Sequence, residues 1–155
     1  MTQTAVNLQQ IMERLEALEA EKAIQETFSK YSHAMDYGLL DSYANEVFTP
    51  DGIFEVGDTS GKILHREEGT AQLIAYVASK KHPPEKYDKH LIAASKFDVK
   101  GDKAHVESFF VALKDKGSEP IIGSYGYYFD DLVKLNGKWR IKKRKAVTEA
   151  INRSK

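Results

Sequence analysis

Three residues in this chain have the chemistry for proton transfer. His90 follows Asp88-Lys89 at the start of a strand-like stretch. A histidine held by a carboxylate can be fixed in one tautomer and made a better base; a histidine at a strand start can equally have its tip in solvent. Asp36 ends the longest helical stretch. On a wheel at ~100° per residue it lies ~120° from the apolar stripe, on its flank. A carboxylate near a helix C-terminus is electrostatically disfavoured, so it asks for a reason other than surface solvation. Tyr31 lies on the stripe itself. Its hydroxyl either satisfies a core partner or points into a cavity as a donor.

Other candidates are weaker. His33 is three residues before Asp36 but points almost opposite the stripe, so it reads as solvent-facing. His65, His82 and His105 lack convergent partners. His105 and Glu107 share a strand face, but two ligands do not make a metal site, and no metal is expected. Tyr125, Tyr127 and Phe129 share one face of a long strand, which is either core or, in part, pocket. Phe54 and Tyr127 are the candidate contacts to a flat or apolar substrate. Six of the eight residues at 138–145 are basic. Such a run is either a solvated strand face or a contact for an acidic group, with Arg144 the best placed.

Composition removes whole classes of function. The 155 residues suit one domain able to bury its own core. Lys plus Arg and Asp plus Glu both total 23, which argues against a nucleic-acid binder. Absence of cysteine excludes disulfides, thiolate metal sites and Cys nucleophiles. There is no phosphate loop, dinucleotide glycine fingerprint or Gly-x-Ser-x-Gly elbow. The opening MTQTAVNLQQ does not read as a secretory signal, and no apolar run approaches the ~20 residues of a membrane span. A cytoplasmic protein without membrane contact is expected.

The elements that must position these residues follow from periodicity. Residues 7–35 contain neither Gly nor Pro. Leu8, Ile11, Leu15 and Leu18 form one helical stripe; Ile24, Phe28, Tyr31 and Met35 form a second. The stripes do not join smoothly across 20–23, which predicts a bend or two helices. Gly38 stops the helix. Asp41 is a candidate N-cap for a short helix at 42–48, ended by Pro50 and the Asp51-Gly52 turn. A strand at 53–56 and a return at 62–65 precede a helix at 67–80 and a polar loop at 81–86. Strands follow at 90–99, 103–114, 121–135 and 138–148. Asn136-Gly137 marks a type I′ hairpin between the last two. Segregated helices and strands predict an α+β fold, a mostly antiparallel meander curling around the N-terminal helix. Such a sheet creates a concave, apolar cavity suited to a small ligand.

The segment 18–31, LEAEKAIQETFSKY, leads into Ala34-Met35-Asp36-Tyr37-Gly38, then Asp41, Phe48-Thr49-Pro50-Asp51-Gly52 and Phe54. With His90, the 99–104 turn and Asn136-Gly137-Lys138-Trp139-Arg140-Ile141, this pattern resembles SnoaL-like proteins of the nuclear transport factor 2-like superfamily. The resemblance implies one domain over 1–155, residues 1–20 being a helical extension, folded as a cystatin-like α+β barrel with a cone-shaped cavity. Within the superfamily the spacing is similar to scytalone dehydratase, bile-acid 7α-dehydratase and hexachlorocyclohexane dehydrochlorinase, all cofactor-free eliminating enzymes. It implies that Asp36 and His90 form the base unit and that Tyr31 binds or polarises substrate. The expected function is a cofactor-independent lyase on a small apolar, aromatic or polycyclic molecule, losing water or a small aldehyde such as formaldehyde. A proton-shuttling isomerase or polyketide cyclase, and a non-catalytic binding or assembly protein, are the competing expectations. The resemblance also implies a homodimer or homotrimer formed through the outer sheet face.

Overall fold

The computed structural model describes residues 7–117 and 119–151. Helix α1 runs unbroken over Leu8–Tyr37, where the change of stripe predicts a bend or a break. Ala20, Glu21, Lys22 and Ala23 are good helix formers, so nothing local interrupts it. The stripes differ because only the C-terminal half packs on the rest of the fold. Ile24, Phe28, Tyr31 and Met35 are buried, whereas Leu8, Ile11, Leu15 and Leu18 are at least half exposed. Asn7 caps the start by accepting the Gln10 N–H at 2.8 Å. Gly38 ends the helix at φ +68°. Any Cβ there would come within 2.7 Å of the His82 ring, so glycine is required both for its conformation and for the close approach.

Helix α2, Leu40–Ser42, continues into a π-helical turn over Tyr43–Val47. Asp41 does not cap this helix; its carboxylate accepts from the Asn45 side chain instead. Strand β1 spans Phe48–Asp58 and runs through Pro50 and Asp51-Gly52. Phe48 lies opposite Ile141 while Ile53 lies opposite Lys143. The expected stop and turn are therefore a bulge inside a strand, a position that tolerates proline.

Strand β2 (Ile63–Glu68), helix α3 (Gly69–Ala78) and strands β3 (Lys89–Lys100), β4 (Lys103–Lys114), β5 (Ile121–Leu135) and β6 (Lys138–Ile151) complete the chain. The six strands form one curved, open sheet in the order β2-β1-β6-β5-β4-β3. All pairs are antiparallel except β1 with β6, so the sheet is mixed. Asn136 and Gly137 take φ +51° and +75° in the β5–β6 hairpin, as its turn chemistry requires. The architecture is α+β, with α1 and α3 against the concave face. Leu73 and Val77 of α3, Phe28 and Tyr31 of α1, and Val106, Phe110 and Tyr128 of the sheet share one core. The Thr27 hydroxyl donates to the Trp139 carbonyl at 3.0 Å, tying α1 to β6. Among the described residues no helix is long and apolar enough to cross a membrane.

Candidate active site

Asp36 and His90 meet although 54 positions separate them. Strand β3 lies along the flank of α1, which is why a residue off the apolar stripe is buried. The Asp36 side chain is 3% exposed and that of His90 is 19%. Both carboxylate oxygens are used on the same partner. Oδ2 accepts the His90 backbone N–H at 3.0 Å, and Oδ1 lies 2.6 Å from Nδ1 of the ring. A carboxylate only accepts, so Nδ1 carries the proton and Nε2 of the neutral ring keeps its lone pair. Among the described residues Nε2 has no hydrogen-bond partner.

His90 lines a cavity of about 340 Å³ within the cone of the sheet. Tyr31, Met35, Phe54, Tyr76, Phe110 and Tyr128 supply much of its wall. The wall is largely aromatic and apolar, with His90, the tyrosines, Lys114, Lys116, Ser124 and Thr148 as its polar points, a composition suited to a small flat ligand. On the other side of His90 a groove of about 560 Å³ runs between α1 and β3, bordered by Ser29, Ser32, Asp36 and residues 89–95. The bulge at residues 93–96, with Ala94 at φ +52°, bends β3 along this groove.

Tyr31 is buried and lines the cavity. Its ring packs against Tyr43, Phe48 and Tyr128 at centroid distances of 5.6, 6.4 and 5.8 Å. Burial pushes its phenol up, and the nearby Arg144 charge pulls back. The hydroxyl therefore stays protonated and able to donate. Phe54 also lines the cavity, its ring 5.2 Å from that of Tyr76.

Tyr127 is not in the cavity. It lies on the opposite face of β5, packed between Phe109 at 4.9 Å and Phe129 at 6.0 Å. The inward residue is Tyr128, one position on. Inward positions of β5 include Gly126 and Asp130, so the inner face looks less apolar in sequence than the outer one.

Arg144 does not line the cavity either. It is fully buried, and its Nε and Nη2 donate to Asp130 at 2.7 and 2.8 Å. The guanidinium stacks on Tyr31 at 4.0 Å, Tyr128 at 4.1 Å and Phe28 at 4.8 Å. Its charge is spent within the fold, where it supports two cavity tyrosines from beneath. The basic run conceals this because its alternation breaks. Asp131 pairs with Lys143 and Leu132 with Ile141, so Lys142 is an extra residue in β6. Trp139 and Ile141 face inward before it, Arg144 and Ala146 after it.

The remaining histidines stand apart. His33 is exposed. His65 lies 3.0 Å from Glu67, His82 meets the Val77 carbonyl, and His105 pairs with Asp131 at 2.9 Å. Among the described residues no group of three His, Cys, Asp or Glu could hold a metal ion. The cavity residues that sequence alone does not single out include Tyr76 and Tyr128. Tyr76 sits beside Leu73 and Val77 at helical spacing, which is a usable signal. Tyr128 had only its alternation with Phe110 and Leu132 across the sheet.

No curated protein matches this chain. Among solved structures, an NTF2-like protein with a cystatin-like fold from Novosphingobium aromaticivorans is 18% identical, with TM-score 0.78 over 93% of this chain and 91% of that one. A protein from the same organism, provisionally named a scytalone dehydratase, is 23% identical, with TM-score 0.71 over 90% of each chain. A protein of unknown function from Mycobacterium tuberculosis is 26% identical, with TM-score 0.72 over 88% of this chain and 75% of that one. These likenesses establish the fold. Residues 16–145 match the SnoaL-like domain as a family, so the chain belongs to the SnoaL-like domain family.

Proposed function

We propose that this protein is a cofactor-independent lyase acting on a small, largely apolar aromatic molecule. The observation that carries the reading is the Asp36–His90 contact at 2.6 Å beside an apolar cavity, with Nε2 left unpaired. His90 takes a proton from the substrate through Nε2. Asp36 holds the ring and stabilises the imidazolium that forms. Tyr31 donates a hydrogen bond to the oxygen that gains charge or leaves. In a dehydration the C–H electron pair becomes the double bond, the C–O bond breaks, and the leaving hydroxide takes the proton from the imidazolium to depart as water. In a retro-aldol release the base takes a hydroxyl proton, the C–C bond breaks as formaldehyde forms, and its electron pair, left on the substrate carbon, takes the proton back from the imidazolium. An aromatic ring next to the reacting carbon would delocalise the developing charge in either case.

The test is a metabolite screen read by mass, seeking loss of water or of formaldehyde, with His90→Gln run in parallel. The expected result is one such loss, slowed by about 10²–10⁴-fold in the variant while its fold is retained. Activity within a few-fold of wild type in His90→Gln overturns the base assignment. A product of unchanged mass would instead make the enzyme an isomerase or cyclase.

A further inference from the structure

Next to the apolar cavity lies a second space of about 300 Å³ at its mouth. The two share Met35, Tyr76, His90 and Lys114, so they adjoin at the base. The mouth carries more charge than the cavity, whose lysines are Lys114 and Lys116. The mouth is lined by Lys80, Lys81, Lys86 and Lys114, against only two carboxylates, Asp36 and Asp88. Asp36 is occupied by His90. Asp88 is also fully engaged. Its Oδ2 meets Lys114 at 2.7 Å and Lys86 at 3.2 Å, and its Oδ1 accepts the Asp115 N–H at 3.0 Å. Lys81 is 3.5 Å from Glu85.

Lys80 makes no salt bridge among the described residues, although the Glu67 charge acts on it from further off. Its Nζ rests 4.2 Å from the centroid of the Tyr76 ring, the residue that borders both spaces. Lys80 follows the C-terminus of α3, where a cation offsets the helix dipole. Its ammonium lies on the aromatic ring, however, and makes no hydrogen bond to the last carbonyls of that helix.

We propose that this mouth binds a carboxylate on the substrate, held by Lys80 and Lys114, while the aromatic part of the same molecule fills the cavity. The proposal rests on reading the cavity as the substrate site, and it narrows the substrate class to aryl carboxylates. The lining has two ammoniums within reach and no arginine fork, which fits a monoanion better than a phosphate. Burial and the like charge of Lys114 both push the Lys80 amine down. An anion at the mouth relieves that repulsion and replaces water on both ammoniums.

The test compares 3-phenylpropanoate with 3-phenylpropanamide by isothermal titration calorimetry at low salt. The pair differs in charge and little in shape. The acid should bind about tenfold more tightly than the amide, the increment of one charge-assisted hydrogen bond. Added salt should erode the difference. Lys80→Met should remove most of the preference without weakening the amide, and Lys80→Arg should retain it. Lys80 is exposed, so neither change threatens the fold. Equal binding of acid and amide overturns the carboxylate site and leaves the cavity reading standing. A preference undiminished in Lys80→Met also overturns it. Failure of both compounds to bind overturns the carboxylate site together with the cavity reading. None of these outcomes requires turnover, so the base role of His90 is judged separately, on the rate of His90→Gln.

Discussion

Asp36 spends both carboxylate oxygens on a single residue, one on the backbone and one on the ring of His90. The backbone contact fixes where β3 starts relative to the end of α1; the ring contact fixes the tautomer. Asp36→Asn tests these separately. An amide oxygen can still accept the backbone N–H, so the strand should keep its position. The amide stabilises an imidazolium poorly and can reverse the tautomer by donating to Nδ1. The expected outcome is a slower chemical step with little change in ligand affinity, read by single-turnover kinetics beside a binding titration. A large loss of affinity with normal turnover at saturation would make Asp36 a binding residue. Tyr31→Phe asks a parallel question of the donor. The ring is packed against Tyr43, Phe48, Tyr128 and Arg144 and should stay in place, so only the hydroxyl is lost. If that hydroxyl serves the reaction, turnover falls about 10²-fold or more while the melting temperature barely moves. If it serves packing alone, the cost is on the order of 1 kcal/mol of stability with the rate unchanged.

At the scale of elements, the cavity floor depends on strands β5 and β6 meeting through a buried ion pair. Burial pushes the Asp130 carboxyl up, and the Arg144 guanidinium opposes it. Removing one member strands a charge in the core. Asp130→Asn should therefore destabilise the fold by about 3–5 kcal/mol, measured by urea unfolding. Replacing both, as Asp130→Leu with Arg144→Met, should cost far less, because no unpaired charge remains. Tyr31 and Tyr128 would nevertheless lose the cation beneath their rings. Activity should fall more than stability in the double variant, separating support of the site from support of the fold. This pair also marks where sequence reasoning reached its limit. Local stop and turn signals, such as Gly38 at the end of α1 and the Asn136-Gly137 hairpin, are legible because local chemistry decides them. Bulges are not, because an extra residue costs little locally and is set by the partner strand. The extra residue at Lys142 turns Arg144 inward, and the bulge in β1 carries the strand through Pro50. Tyr127 and Tyr128 were confused for a related reason, since Asp130 makes the inner face of β5 look solvated until its partner is known. The approach of Asp36 to His90 is a tertiary fact that neither helix nor strand periodicity contains.

For the molecule as a whole, one carboxylate reinforces the strand pairing on both sides of β1, including its parallel junction with β6. Glu55 on β1 meets Arg66 of β2 and, at 2.9 Å, Lys143 of β6. It thereby ties β1 to both of its neighbours. Burial works to raise its carboxyl, but Lys143 and Arg66 outweigh it and hold it below its ordinary value near 4.5. Asp88 is held low in the same way, with Lys114 outweighing its burial. A folded-state value below the unfolded one means that the unfolded chain binds protons first as the pH drops. The stabilisation is complete above the unfolded value and disappears as the pH falls through the folded one. Asp130, pushed up by burial, opposes this trend but is pinned by Arg144. Unfolding free energy should therefore be flat from about pH 6 to pH 5 and decline below about pH 4.5. Glu55→Gln isolates one contributor. Arg66 and Lys143 are each about two-fifths exposed and regain water when the carboxylate is removed. The loss at pH 6 should thus be modest, about 1 kcal/mol. The variant should also lose less than wild type between pH 6 and pH 3, so the two stability curves converge in acid. Curves that stay parallel down to pH 3 would mean that the charge of Glu55 does not hold β1 to its neighbours, and that its shape and neutral hydrogen bonds do.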